Sequence, residues 1–141
     1  MYVLVLLVAT VTAASATAAD SVTWRGHTIQ GYAMRAVVSR SGTLVTRLRT
    51  QYGLDCSDGS SIVRRLVLSR EAGDTVVVDD TGRFSTTGTV ASGLAEKGSG
   101  SLTYRVAGRV RAAKITGTLR VDYALDSGVH CTTELVGFAL R

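Results

Sequence analysis

Leu102-Thr103-Tyr104-Arg105-Val106-Ala107-Gly108-Arg109-Val110 and Ile115-Thr116-Gly117-Thr118-Leu119-Arg120-Val121-Asp122-Tyr123-Ala124-Leu125 carry the clearest structural reading in the chain. In the first stretch Leu102, Tyr104, Val106, Gly108 and Val110 share one face; in the second, Ile115, Gly117, Leu119, Val121, Tyr123 and Leu125 do. Alternation at period two is the mark of a half-buried strand, because successive side chains point to opposite faces. The connection through Ala112-Ala113 is short, so the two strands are expected to pair as an antiparallel hairpin.

The same pattern extends towards the N-terminus. Leu44, Thr46, Leu48, Thr50, Tyr52, Leu54 and Cys56 alternate with Arg47, Arg49, Gln51 and Asp55. His27 to Ser39 reads as one long strand ended by Arg40-Ser41-Gly42. Thr75 to Val78 and Arg83 to Thr86 flank Asp79-Asp80-Thr81-Gly82, a hairpin signal, since Asp and Gly accept the dihedrals of a tight turn. Asp126-Ser127-Gly128 turns into a terminal strand over Val129 to Arg141. Ser61 to Arg70 fits a helical stripe, with Ser61 as cap and Gly73 as stop, but its β-branched content favours a strand. Leu94 to Ser101, with Gly98 and Gly100, reads as a mobile loop open to nicking. Strands at regular spacing without helices predict an all-β domain: an antiparallel β-sandwich, with a small barrel as the alternative.

Composition agrees. The 141 residues include no proline, few aromatics and much Val, Thr, Gly and Leu. The formal net charge is +5, and Lys97 and Lys114 are the only lysines, so the cations are nearly all arginine. Such a domain is drawn to anionic surfaces such as wall polymers, lipid head groups or free nucleic acid. The apolar run Val3 to Ala9 leads to Ala16-Thr17-Ala18, a signal-peptidase pattern on a segment too short to span a bilayer. The expectation is a signal peptide over 1–18, a single domain over 19–141, no transmembrane segment in the mature form, and a secreted or cell-envelope location. In an exported chain the solitary pair Cys56 and Cys131 is expected to be one disulfide, closing a loop of 75 residues.

Gly26-His27-Thr28-Ile29-Gln30-Gly31, Cys56-Ser57-Asp58-Gly59, Gly82-Arg83-Phe84-Ser85, Ile115-Thr116-Gly117-Thr118-Leu119 and the late Cys131 occur in that order. The chain thereby resembles a group of small exported proteins of high-GC Gram-positive bacteria. The resemblance implies an all-β fold with one disulfide and no assigned activity. It supplies no functional residues.

No catalytic, metal or cofactor site is expected. His27 and His130 are the only histidines, too few for zinc once the cysteines are bridged. Asp55 with Asp58, and Asp79 with Asp80, lack the spacing of a calcium loop. The carboxylates, with Asp122, Asp126 and Glu134, mostly adjoin turns, no serine sits in a Gly-x-Ser-x-Gly elbow, and Gly98-Ser99-Gly100 lacks a phosphate loop's lysine. A thiol nucleophile fails because His130 and Cys131, adjacent on a strand, point apart.

The arginines are the feature most open to a functional reading. Arg105, Arg109, Arg111 and Arg120 should share an outward face, and Arg47 with Arg49 form a second outward pair. Such a stripe can hold phosphate or carboxylate groups. Aromatics do not interleave with it, so specific nucleic-acid recognition is not expected. Trp24 and Tyr32 are candidates for a sugar-stacking platform. The expected function is a non-catalytic binding or structural module at the cell envelope, its partner an anionic envelope polymer or another extracellular protein. The alternatives are a secreted enzyme inhibitor presenting Gly93 to Ser101 and, behind it, a small secreted hydrolase.

Overall fold

The computed structural model describes residues 21–95 and 97–141, so the expected signal peptide at 1–18 lies outside the described residues. The strands are β1 (Ser21–Thr28), β2 (Ala33–Ser39), β3 (Leu44–Cys56), β4 (Ser61–Ser69), β5 (Val76–Val77), β6 (Arg83–Ala91), β7 (Gly100–Arg111), β8 (Lys114–Leu125), β9 (His130–Thr132) and β10 (Val136–Leu140). The ladder runs β10-β1-β2-β3-β9-β8 and returns from β8 to β10, closing a six-strand barrel. β7 and β6 extend it from β8, while β4 and β5 line the far edge of β3. The fold is therefore all-β and antiparallel, and of the two architectures expected it takes the closed one. The hairpin that anchors the sequence reading is present, from Gly100↔Leu125 to Arg111↔Lys114.

The single terminal strand expected over Val129 to Arg141 is divided in two. Thr132 pairs with Asp122 and Val136 with Leu119, so Thr133, Glu134 and Leu135 face only Arg120 and Val121. This is a bulge, which bends a strand and re-aims it. Thr133 is buried there, and its N–H donates to the Val121 carbonyl at 3.0 Å. Its hydroxyl accepts from the Val121 N–H at 2.9 Å and donates to the Glu134 carbonyl at 2.7 Å. Glu134 turns the chain at a φ of 53°. Because of the bend, β9 lies against β3 and β10 lies against β1, which closes the ring.

Other departures have equally local causes. The strand expected over His27 to Ser39 is interrupted by a turn at Gly31, whose φ of 85° suits glycine, and Thr28 N–H reaches the Tyr32 carbonyl across it. In β3, Val38 pairs with Val45 but Val37 with Arg47, leaving Thr46 as an extra residue. The shift buries Val45 in place of Leu44 and Thr46. Residues 61–69 form a strand, as favoured, and the helical signals belong to the short 3-10 turn after it. Ser69, not Ser61, caps Arg70–Ala72, and Gly73 stops it. The segment read as a mobile loop is anchored instead. Leu94 is 1% exposed, Ser99 C=O accepts from Asp126 N–H, and Lys97 pairs with Asp58.

The core lies between the inner faces of the strands. One register row runs Phe84–Gly108–Gly117–Phe138 across β6, β7, β8 and β10. A side chain on Gly108 would meet the Phe84 ring, and one on Gly117 would meet the Phe138 ring. Each phenyl thus fills the space its cross-strand glycine leaves open. A second row holds Cys56, Cys131 and Tyr123, with Cys56 and Cys131 directly opposite and disulfide-bonded at a Cα separation of 3.9 Å. That separation is shorter than the usual 4.4–6.8 Å range and than the roughly 4.5 Å of the closer kind of directly opposite antiparallel pair. Behind it the buried hydroxyls of Tyr52 and Tyr123 meet at 3.4 Å, and burial pushes the Tyr52 phenol well above its ordinary range.

Candidate functional site

The outer face of β1 to β4 is built by the same alternation that buries Met34, Ala36, Leu48, Thr50 and Leu66 on the inside. Arg25 pairs with Arg35, and Arg35 pairs with Arg49, so three arginines stand in one register row across three strands. Arg47 adds a fourth on β3, and Arg65, opposite Gln51 on β4, a fifth. All five are exposed. Like charges directly opposite on a sheet repel one another, and a compensating anion would relieve that repulsion. None of the five takes part in an ion pair or side-chain hydrogen bond among the described residues.

Hollows indent this face. A hollow of about 440 Å³ is lined by Arg25, His27, Arg35, Arg49, Gln51 and Arg65. A second, of about 250 Å³, adjoins it through Arg35, Arg49 and Arg65 and reaches Arg47, Val37 and Val67. A third, of about 400 Å³, follows next along β3 at Gly53, lined by Tyr32, Ile62 and Val63. The first two meet in a groove along the outer side of β3 from Arg47 to Gln51, and the third, which shares no lining residue with them, lies beyond it on the same strand. From Arg47 to Asp55, at about 3.4 Å per residue, β3 runs roughly 27 Å, long enough for several units of a linear polymer. Asp55, the one carboxylate on this side of β3, lies at the far end and accepts from the Ser61 hydroxyl at 2.7 Å.

The arginines singled out from the sequence occupy a different outer face. Arg105 pairs with Arg120, Arg109 with Arg83 and Thr116, and Arg111 with Lys114, so the four do share one side of β7 and β8. Two of them are engaged within the molecule. Arg120 donates to both oxygens of Asp122, at 2.8 and 3.2 Å, and Arg109 Nε donates to the Thr81 carbonyl at 3.1 Å. The Arg120 contact holds the Asp122 carboxyl below its usual range. Arg120 borders a hollow of about 300 Å³ shared with Asp122 and His130. The sequence pointed to Arg47 and Arg49; their partners Arg25, Arg35 and Arg65 come from other strands and were missed.

The remaining sequence candidates serve structure. Asp79 accepts from Thr81 and Arg83 and closes its own turn, and Asp58 is held by Lys97 and Ser60. Trp24 packs against the core and is not a platform residue, whereas Tyr32 lies on the outer side over Gly53. Within the stretch read as a presented loop, Leu94 is buried while Gly93, Ala95, Gly98 and Ser99 are exposed. Among the described residues no three His, Cys, Asp or Glu side chains gather as a metal site, and no helix is long and apolar enough to cross a membrane. The disulfide is consistent with an oxidising compartment. Comparison with protein-family models, curated proteins and solved structures gives no match.

Proposed function

We propose that this protein is a non-catalytic binding module that holds a linear polyanion of the cell envelope along the outer side of β3. The observation that carries the reading is the register row Arg25–Arg35–Arg49, three exposed guanidiniums in a groove with no ion-pair partner among the described residues. Planar guanidiniums bind carboxylate and phosphate oxygens in pairs, so a row of them recognises charges repeated along a chain. The disulfide and the sequence resemblance to exported proteins support a place outside the cytoplasm. The groove's arginines replace Arg105, Arg109, Arg111 and Arg120 as the primary anion face, because the latter are partly consumed by Asp122 and Thr81.

The test is retention of the purified protein on immobilised anionic envelope polymer at low and high salt. Retention that weakens with salt in the wild type, and drops for Arg35→Ser/Arg49→Ser but not for Arg105→Ser/Arg111→Ser, is expected. Equal loss for both pairs, or no retention at all, overturns the assignment of the groove.

A further inference from the structure

The groove is not uniform along its length, and the change identifies its ligand more closely. From Arg47 to Gln51 it is cationic. Beyond Gln51 the outward positions are Gly53 on β3 and Val63 on β4, paired in register. Tyr32 covers Gly53: a side chain there would lie 3.5 Å from the Tyr32 hydroxyl oxygen and 3.8 Å from its Cε2. The absence of a side chain at Gly53 lets the phenol rest on the sheet. The Tyr32 backbone is held in its turn. Its N–H donates to the Thr28 hydroxyl at 3.2 Å, and its carbonyl accepts from the Thr28 N–H at 2.9 Å. Next to it the Gln30 side-chain amide mimics a strand, donating to the Gly53 carbonyl at 3.1 Å and accepting from the Gly53 N–H at 3.0 Å.

We propose that Tyr32, Gly53 and Val63 form a ring-stacking subsite that continues the arginine groove, and that the ligand is an acidic glycan in which neutral sugar rings alternate with anionic ones. The inference rests on the reading of the groove as an anion site. A pyranose presents a face of C–H bonds that packs on the electron-rich face of a tyrosine, and Val63, 48% exposed, widens that apolar floor. Asp55 decides against a uniformly charged polymer. Its carboxylate stands at the next outward position of β3 and would repel a phosphate placed over Tyr32, whereas a neutral ring is accepted there. Nucleic acid and polyphosphate carry a charge on every unit and suit this end poorly.

The decisive experiment measures binding of the purified full-length protein to three probes by calorimetry: an oligosaccharide of alternating uronic acid and N-acetylhexosamine, inorganic polyphosphate, and single-stranded DNA. The alternating glycan should bind most tightly. Tyr32→Leu, which keeps apolar bulk, should weaken it by about tenfold while leaving polyphosphate binding unchanged. Val63→Ser, at an exposed position of β4 outside the closed ring, should weaken it in the same direction. Arg35→Ser/Arg49→Ser should weaken all three. If polyphosphate or DNA binds as tightly as the glycan, or neither Tyr32→Leu nor Val63→Ser affects glycan binding, the stacking subsite is wrong and the arginine groove stands. If no probe binds in a salt-sensitive manner, the proposed function fails with it.

Discussion

Arg35 and Arg49 stand directly opposite each other across β2 and β3, with Arg25 completing the row and, among the described residues, no carboxylate bonded to any of the three. A protein under selection for stability alone would not place like charges in register, because cross-strand repulsion works against pairing. Replacing Arg35 and Arg49 together by serine should therefore leave the melting temperature unchanged or raise it, while anion binding falls. Thermal unfolding of the double variant at low salt checks this. A clear loss of stability would show that the arginine stems hold the sheet together by packing.

The Cys56–Cys131 bridge joins β3 to β9 across a sequence separation of 75 residues. Closing a loop of that length restricts the unfolded chain by about 4–5 kcal/mol in the chain-entropy model. Cys56→Ser/Cys131→Ser should lower the urea midpoint by a corresponding amount without altering the far-UV β signature. Mass spectrometry of the non-reduced protein should find no free thiol.

Thr133 is the hinge of barrel closure. Thr133→Val keeps the shape but leaves the buried Val121 N–H without the hydroxyl it donates to. An unsatisfied buried donor costs about 1–3 kcal/mol, so Thr133→Val should be destabilised by that order and Thr133→Ser far less. Chemical denaturation of the two variants separates the hydrogen bond from the packing. Hydrogen exchange at Val121 should accelerate in the valine variant alone.

Acid should weaken the fold. The Lys97 contact holds the Asp58 carboxyl below its ordinary value, the Thr81 hydroxyl does the same for Asp79, and Arg120 for Asp122. A carboxyl whose pKa is depressed on folding stabilises the fold while ionised. That contribution is fully present above the unfolded value near 3.8 and is lost as pH falls through the folded values. The melting temperature should thus be level from neutrality down to the carboxylate range and decline below it. Asp79→Asn keeps an acceptor for Thr81 and Arg83 but cannot titrate, so it should flatten part of that decline.

The sequence itself determined whatever depends on neighbours along the chain. Alternation marked β3, β7 and β8, the Ala112-Ala113 connection paired the last two, and Asp79 to Gly82 marked its own turn. Glycines told less than they meant. Gly31 divides a strand that alternation alone reads as continuous, and Gly108 and Gly117 make sense only beside Phe84 and Phe138. Tertiary structure decided the rest, because register couples residues far apart in sequence. The bulge at Thr133 looks like any polar residue until Val121 lies opposite it, yet it turns an open sheet into a barrel. The arginine row is of the same kind. Arg25, Arg35 and Arg49 sit on three strands, and nothing local places them side by side. Hydrogen-bonded pairing of those strands does, since each strand's inner face must meet the core and its register then fixes which outer residues become neighbours.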